Sequence, residues 1–253
     1  MALQQTHLFS LYTPTLKLSS WSKDQTISLQ DSDLIHRMIK VLRFGISDEC
    51  VLFDTQVHAQ IKIQEISKKN ILIQVLQIQV HQSLQPEITF FLPLLKKEAL
   101  EQAVYVLCEM GINNIQLVIT QKSRQQLLHE KEFVRLQNIV IAAAEQSKNY
   151  AMSKLHAPEK LTKILPAIPD SERESKPFNI VFDPAGMSFF ELQKKIVQKS
   201  IGLLIGPEGG LTDQELAQAQ NGGFVSCALT PTILTAIHAV ALSAGLFRLK
   251  KGS

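Results

Sequence analysis

Apolar and polar residues alternate with period two in "AQIKIQEIS" and "NILIQVLQIQV", which sets Ile61, Ile63, Ile71, Ile73 and Val75 on inward-facing positions. That period is the mark of a half-buried β-strand. With "ECVLFDT" ahead of them and a helix over Asp33–Arg43, these runs predict a small β-barrel or sheet within residues 1–82. "HQSLQP" (81–86) reads as a linker. Residues 83–253 change character, because apolar strand runs now alternate with helical patterns. The strands are "EITFFLPLL", "IQLVIT", "FNIVFD", "IGLLIG" and "FVSCAL". The helices span Lys97–Met110, Glu132–Gln146, Ser188–Val197, Thr212–Gln220 and Thr232–Leu249. Continuous apolar strands separated by helices predict an α/β domain with a mostly parallel sheet covered on both faces. Ligands of such sheets sit beyond the C-terminal strand ends. The loops "DPAG" (183–186), "GPEGG" (206–210) and "LTPT" (229–232) therefore fall around one expected pocket.

Composition adds bounds. The 253 residues are 45% hydrophobic and 19% charged, as in an ordinary folded protein. Cys50, Cys108 and Cys227 are far apart and form no C-x-x-C pair, so a zinc knuckle or disulfide framework is not expected, and a reducing, cytoplasmic setting is. The N-terminus lacks a basic segment followed by an apolar run, so no secretory signal is expected. The longest apolar stretch, Ile233–Phe247, is interrupted by His238 and falls short of the ~18 residues of a membrane span. A net charge of +3 is too small for capture of nucleic acid by a global field, so any RNA contact must be a local patch.

The segment "LLIGPEGGLTDQE" (203–215) carries the sharpest chemistry. A glycine turn between strand and helix suggests a phosphate cradle. However, the P-loop Lys-Ser/Thr is missing, G-x-G-x-x-G does not fit, and Glu208 stands mid-turn where a carboxylate repels phosphate. A neutral or cationic ligand held by backbone fits better. Thr212 and Glu215 form a capping box that fixes where the helix meets the turn. Equally open is a plain strand-to-helix bend that glycine merely permits.

"GPEGGLTDQE", "AAAEQSK", "CEMGINNIQLVIT", "HRMIKVLRF" and "LTPTILTAIHAVAL" occur in the order of the RsmE family of SPOUT RNA methyltransferases, and the chain resembles that family over nearly its whole length. The resemblance implies a PUA-like β-barrel over 1–82 and a SPOUT domain with a C-terminal trefoil knot over 83–253. It further implies S-adenosylmethionine as methyl donor, a homodimer, and N3 of a uridine in 16S rRNA of the small ribosomal subunit as target, without metal or membrane. It implies donor contacts from Asp183 and Pro184, from Gly206, Pro207, Glu208 and Gly210, and from Leu229, Thr230, Ile233 and Leu234.

The chain departs from the family downstream. Where the family reads close to Leu-Gly-Pro-Arg-Ile-Leu-Arg-Thr-Glu-Thr, this sequence has Leu229-Thr-Pro-Thr-Ile-Leu-Thr-Ala-Ile-His238, without both arginines and the glutamate. The candidates for chemistry are then Glu208, Thr235 and His238. Two other readings stay open, a diverged relative acting on another RNA and a non-catalytic RNA-binding or assembly factor. His238, alone in an apolar helix, reads either as a packed, hydrogen-bonded side chain or as a base beside the third loop. The Ala- and Gly-rich run Ala236–Gly245 permits close packing, under the knot or across a dimer interface.

For RNA, the helix Asp33–Arg43 carries His36, Lys40 and Arg43 at i, i+4, i+7 with Arg37 alongside, against an apolar side of Leu34, Ile35, Met38, Val41 and Leu42. This is a basic footing or a solvated helix face. Gln146 and Lys148 are further RNA candidates, and Glu145 orients a ligand or satisfies a helix end. Tyr12 and Trp21 are expected to pack in the barrel.

Overall fold

The computed structural model describes residues 8–165 and 177–249. The first seven residues, part of the stretch read as lacking a signal, lie outside them. The described chain divides into two compact units. One holds residues up to Gln82 together with Ala144–Ala151, and the other holds Ser83–Ala143 and the described residues from Met152 onward.

The first unit comprises β1 (Phe9–Tyr12), β2 (Thr26–Leu29), α1 (Ser32–His36), β3 (Glu49–Phe53), β4 (Val57–Ile66) and β5 (Ile71–Val80). They form one sheet in the order β1-β3-β4-β5-β2, with β1 and β3 parallel and the other pairs antiparallel. Period two works as expected in β4, where Val57, Ala59, Ile61 and Ile63 are buried and His58, Gln60 and Lys62 are not. β1 and β2 escape the periodic reading because four residues are too few to show it. Trp21 packs against this core and Tyr12 against Phe53, with ring centroids 5.5 Å apart.

The helix expected over Asp33–Arg43 is corrected. After α1, whose N-terminus is capped by Asp31, the chain runs through a π turn at Arg37–Val41 and leaves the helix. The extra residue in this turn rotates the positions after it. Val41, assigned to the apolar side, is 62% exposed, and Arg43 stands outside the helix at φ 57°. The stripe therefore ends at Lys40.

The second unit comprises β6 (Glu87–Pro93), α2 (Lys97–Glu109), β7 (Asn114–Ile119), α3 (Glu130–Ser147, whose last residues, from Ala144, group with the first unit), β8 (Lys154–Lys160), α4 (Leu161–Ile164), β9 (Phe178–Ser188), α5 (Phe189–Leu192), β10 (Ser200–Leu204), α6 (Asp213–Asn221), β11 (Val225–Ala228) and α7 (Ala236–Leu246). The six strands are ordered β11-β9-β10-β6-β7-β8, every pairing parallel. Successive strand residues enter opposite cores. Ile180, Leu203 and Leu117 join the cluster with α2, α3 and α7, while Val181, Leu204 and Val118 join the one with α4 and α6. The sheet is thus covered on both faces, as its uninterrupted apolar runs predict.

Four boundaries differ from expectation. β8 has no apolar run because it is an edge strand with mostly exposed side chains. The helix expected over Ser188–Val197 is only α5 and one 3-10 turn, since Leu192 alone is buried there and Val197 is exposed. α7 starts at Ala236, not Thr232, because the Thr230 hydroxyl donates to the Thr232 carbonyl at 2.6 Å and holds 229–235 as a loop. β9 runs on through "DPAG". Its pairing with β11 breaks after Val181 and resumes at Met187, so Phe182–Gly186 arch away from the neighbouring strand.

Candidate functional site

Three features of the sequence build one cavity at the C-terminal ends of β9, β10 and β11. The arch of β9 contributes Phe182, Asp183 and Pro184. The turn after β10 contributes Ile205, Gly206, Pro207, Glu208, Gly210 and Leu211. The loop before α7 contributes Leu229, Thr230, Thr232, Ile233, Leu234 and Thr235, with Ala236 and Ala239 of α7 behind it. The cavity holds about 470 Å³, within the size range of small-ligand sites. All ten residues expected to contact a donor line it, although Ile233 is 89% exposed at its rim.

The turn is shaped by its glycines. A Cβ on Gly206 would lie 2.9 Å from the Leu211 nitrogen and 3.0 Å from Gly210 atoms, so the chain folds back on itself more closely than any side chain allows. Gly210 sits at φ 69°, and its N–H donates to the Pro207 carbonyl at 2.8 Å. Gly209 is different, since a Cβ there meets only the Lys122 side chain, at 3.4 Å or more, and it does not line the cavity.

The turn is held from outside. Lys122, in the loop after β7, donates to the carbonyls of Gly209 and Leu211 at 3.1 and 3.3 Å. The expected capping box is present: the Thr212 hydroxyl accepts from Glu215 N–H, and Glu215 Oε2 accepts from Thr212 N–H at 2.9 Å. Glu215 is only 2% exposed, and its Oε1 accepts from Gln121 N–H at 2.7 Å, so one buried carboxylate ties α6 to the loop after β7. Lys122 and the outward reach of Glu215 were not read from the sequence. Contacts between loops 87 to 94 residues apart leave no periodic trace, and only the capping box signalled the site.

The electrostatics of the wall are one-sided. Asp183 and Glu208 are its two carboxylates, and no lysine or arginine lines it. Asp183 Oδ1 accepts from Ala185 N–H at 2.9 Å and braces the arch, while Glu208 Oε1 accepts from Lys96 N–H at the start of α2 at 3.1 Å. Such a wall disfavours a polyanion and accepts a neutral or cationic ligand. Burial pushes the Cys227 thiol of β11 up to about 11 and those of Cys50 and Cys108 up to about 12, so none is a thiolate near neutral pH.

Of the three candidates for chemistry, Glu208 and Thr235 line the cavity and His238 does not. The packed reading of His238 is corrected. α7 turns Val240, Ser243 and Ala244 inward, which leaves His238 and Leu242 on its exposed side.

A model of the RNA methyltransferase domain matches residues 82–247. The chain belongs to this family. Over 236 residues it is 29% identical to the ribosomal RNA small subunit methyltransferase E of Buchnera aphidicola subsp. Schizaphis graminum, a match that covers 90% of this chain and 92% of the relative. Among solved structures it is similar to a ribosomal RNA small subunit methyltransferase E from Neisseria gonorrhoeae bound to S-adenosyl methionine, at TM-score 0.78 and 23% identity over 95% and 96% of the two chains. A Legionella pneumophila protein in complex with SAM gives TM-score 0.78 and 22% identity over 96% and 98%. These structural likenesses establish the mixed α/β methyltransferase fold. The methyltransferase domain match begins one residue before the second unit, and it contains the whole cavity.

The RNA candidates outside that cavity fall into two groups. Arg37 Nη2 donates to both oxygens of Glu145 at 2.8 Å, and Glu145 Oε1 also accepts from Tyr12 N–H at 2.8 Å. Lys148, at φ 62°, donates to the Leu8 carbonyl and, at 3.0 Å, to the Ser10 hydroxyl. Arg37, Glu145 and Lys148 therefore fasten residues 144–151 within the first unit. His36, Lys40, Arg43 and Gln146 are exposed.

Proposed function

We propose that this protein is an S-adenosylmethionine-dependent methyltransferase of the RsmE type that methylates N3 of a uridine in 16S rRNA of the small ribosomal subunit. On this reading the first unit is a PUA-like barrel, the second carries a SPOUT-type trefoil knot, and the protein acts in the cytoplasm as a homodimer. The observation that carries it is the cavity, where a self-folded glycine turn and an apolar wall meet two carboxylates and no basic side chain. Membership of the RNA methyltransferase domain family and the names of the relatives support the substrate class.

The wall fits the donor. Bound there, it would supply an electrophilic methyl group on a cationic sulfonium. Glu208 and Asp183 offset that positive charge, and the backbone of 206–211 and 229–234 offers amides and carbonyls to an adenine edge. Pro207, Leu211, Leu229 and Leu234 exclude water from the reacting face. Uracil N3 must lose its proton, and the resulting oxyanion needs donors. Thr232 and Thr235 present hydroxyls where the family carries guanidinium groups, and we assign proton removal to Glu208. A paired uridine hides N3, so the target must be unpaired or flipped.

The neutral Thr232 and Thr235 favour one further reading, a relative that keeps donor and fold but methylates another RNA position slowly. Mass mapping of 16S rRNA from cells with and without the protein separates the two. Loss of one N3-methyluridine signal is expected, and an unchanged N3-methyluridine content with a change elsewhere would establish the second reading.

A further inference from the structure

Arg37 and Lys148 are occupied by Glu145 and by Leu8 and Ser10, whereas the exposed His36 and Lys40 face a groove that no motif announced. Within the first unit a cavity of about 960 Å³ opens between α1 with its π turn and the tip of the β4–β5 hairpin. His36 and Lys40 line one side, and Lys68 and Lys69 of the hairpin turn line the other. Ile35, Ile39 and Ile66 form an apolar floor between them, and no aspartate or glutamate lines the groove. Among the described residues none of the four basic side chains enters an ion pair.

The lysines are presented on a fixed turn. Ser67 N–H donates to the Asn70 carbonyl at 3.0 Å, Asn70 N–H donates to the Ser67 hydroxyl at 3.3 Å, and the Asn70 side chain donates to the Ser28 hydroxyl of β2 at 3.1 Å. The hairpin edge of the groove is therefore anchored to the sheet through the backbone and Asn70 of its turn. Opposed cations over an apolar floor match single-stranded RNA, whose phosphates take the charged edges while ribose and base faces take the floor. An acidic peptide would satisfy the lysines and leave Ile35, Ile39 and Ile66 unmatched.

We propose that this groove is the RNA backbone site of the protein, with Lys68 and Lys69 as its principal phosphate contacts and Lys40 opposite. The proposal rests on the reading of the chain as an RNA methyltransferase and adds contacts that the helix alone does not supply. It is tested by fluorescence anisotropy of a labelled, uridine-rich single-stranded RNA on the full chain over a salt series, with calorimetric donor titration on the same preparations. The Lys68→Ala/Lys69→Ala variant is expected to bind RNA about tenfold more weakly, with a log-log salt slope smaller by about 1.4 for two lost phosphate contacts, and with donor affinity and melting temperature unchanged. Lys68→Arg/Lys69→Arg should restore both affinity and slope. Unchanged RNA affinity and slope in the alanine variant would overturn the groove while leaving donor binding standing. Equal displacement of the RNA by polyglutamate would overturn its assignment to RNA. Failure of the wild-type chain to bind donor would count against the methyltransferase reading alone, since the groove is decided by whether RNA binding depends on these lysines.

Discussion

Individual side chains do sharply different work at similar chemistry. Glu215 and Glu208 lie seven residues apart, yet Glu215 is buried with Gln121 and Thr212 amides on its oxygens, and Glu208 stands at the cavity wall. Glu215→Ala should destabilise the protein by roughly 2 kcal/mol in chemical denaturation, because it strands buried N–H groups and removes half of a cap. Glu208→Gln should leave stability within about 0.5 kcal/mol and weaken donor binding. Thr232 and Thr235 occupy the cavity wall where the family pattern carries arginine. Thr232→Arg is expected to raise kcat by about tenfold or more, with donor affinity little changed, if charge at the developing oxyanion is what the chain lacks. An unchanged or lower kcat in a methylation assay would show that Thr232 does not face the reacting base. In the first unit, His58 and His81 stack at 5.4 Å with Tyr150 4.5 Å from His58. Burial holds both imidazoles below their usual range, outweighing Gln79 at His58; at His81 the neighbouring His58 adds to burial, against Asp54 and the Val57 backbone. The folded state then binds fewer protons than the unfolded chain. Stability should fall as pH drops through about 6.5. Melting temperatures from about pH 7.5 to 5.5 should show this decline, and His81→Phe should flatten it.

At the scale of elements, the glycine turn is where sequence and structure agree most closely. The apolar run of β10, the turn and the Thr212 cap were legible because each is local, and the three loops came together because a parallel sheet gathers its C-terminal strand ends. The turn's glycines are not equivalent. Gly206→Val must displace backbone of Gly210 and Leu211, and is expected to abolish donor binding, whereas Gly209→Val meets only the flexible Lys122 side chain and should reduce it less than about tenfold. Isothermal titration of the two variants checks the contrast. The illegible parts have physical reasons. β1, β2 and β8 are short or at a sheet edge, so burial imposed no periodic pattern on them. The π turn in α1's continuation shifts side chains by one position without changing composition, which is why Val41 and Arg43 were misplaced. The arch in β9 depends on pairing with β11, a relation between segments about 40 residues apart.

At the scale of the molecule, the proposed function divides its two binding tasks between the two units. The second contains the cavity and most of the family match, and the first carries the basic groove. Among the described residues no group of histidine, cysteine, aspartate or glutamate is arranged to hold a metal, and no helix is long and apolar enough to cross a membrane. What the sequence suggested as an RNA footing on one helix becomes a two-sided groove. Arg37 leaves it to pair with Glu145, Arg43 falls outside the helix, and two hairpin lysines line the opposite side. The proposed activity stands or falls with binding of a sulfonium methyl donor in the cavity between the arch, the glycine turn and the third loop. Isothermal titration of the full chain with S-adenosylmethionine decides it. One site per chain is expected, abolished by Gly206→Val in a variant that still melts cooperatively; no heat of binding to the wild-type protein, or undiminished affinity in a folded Gly206→Val protein, would contradict the assignment.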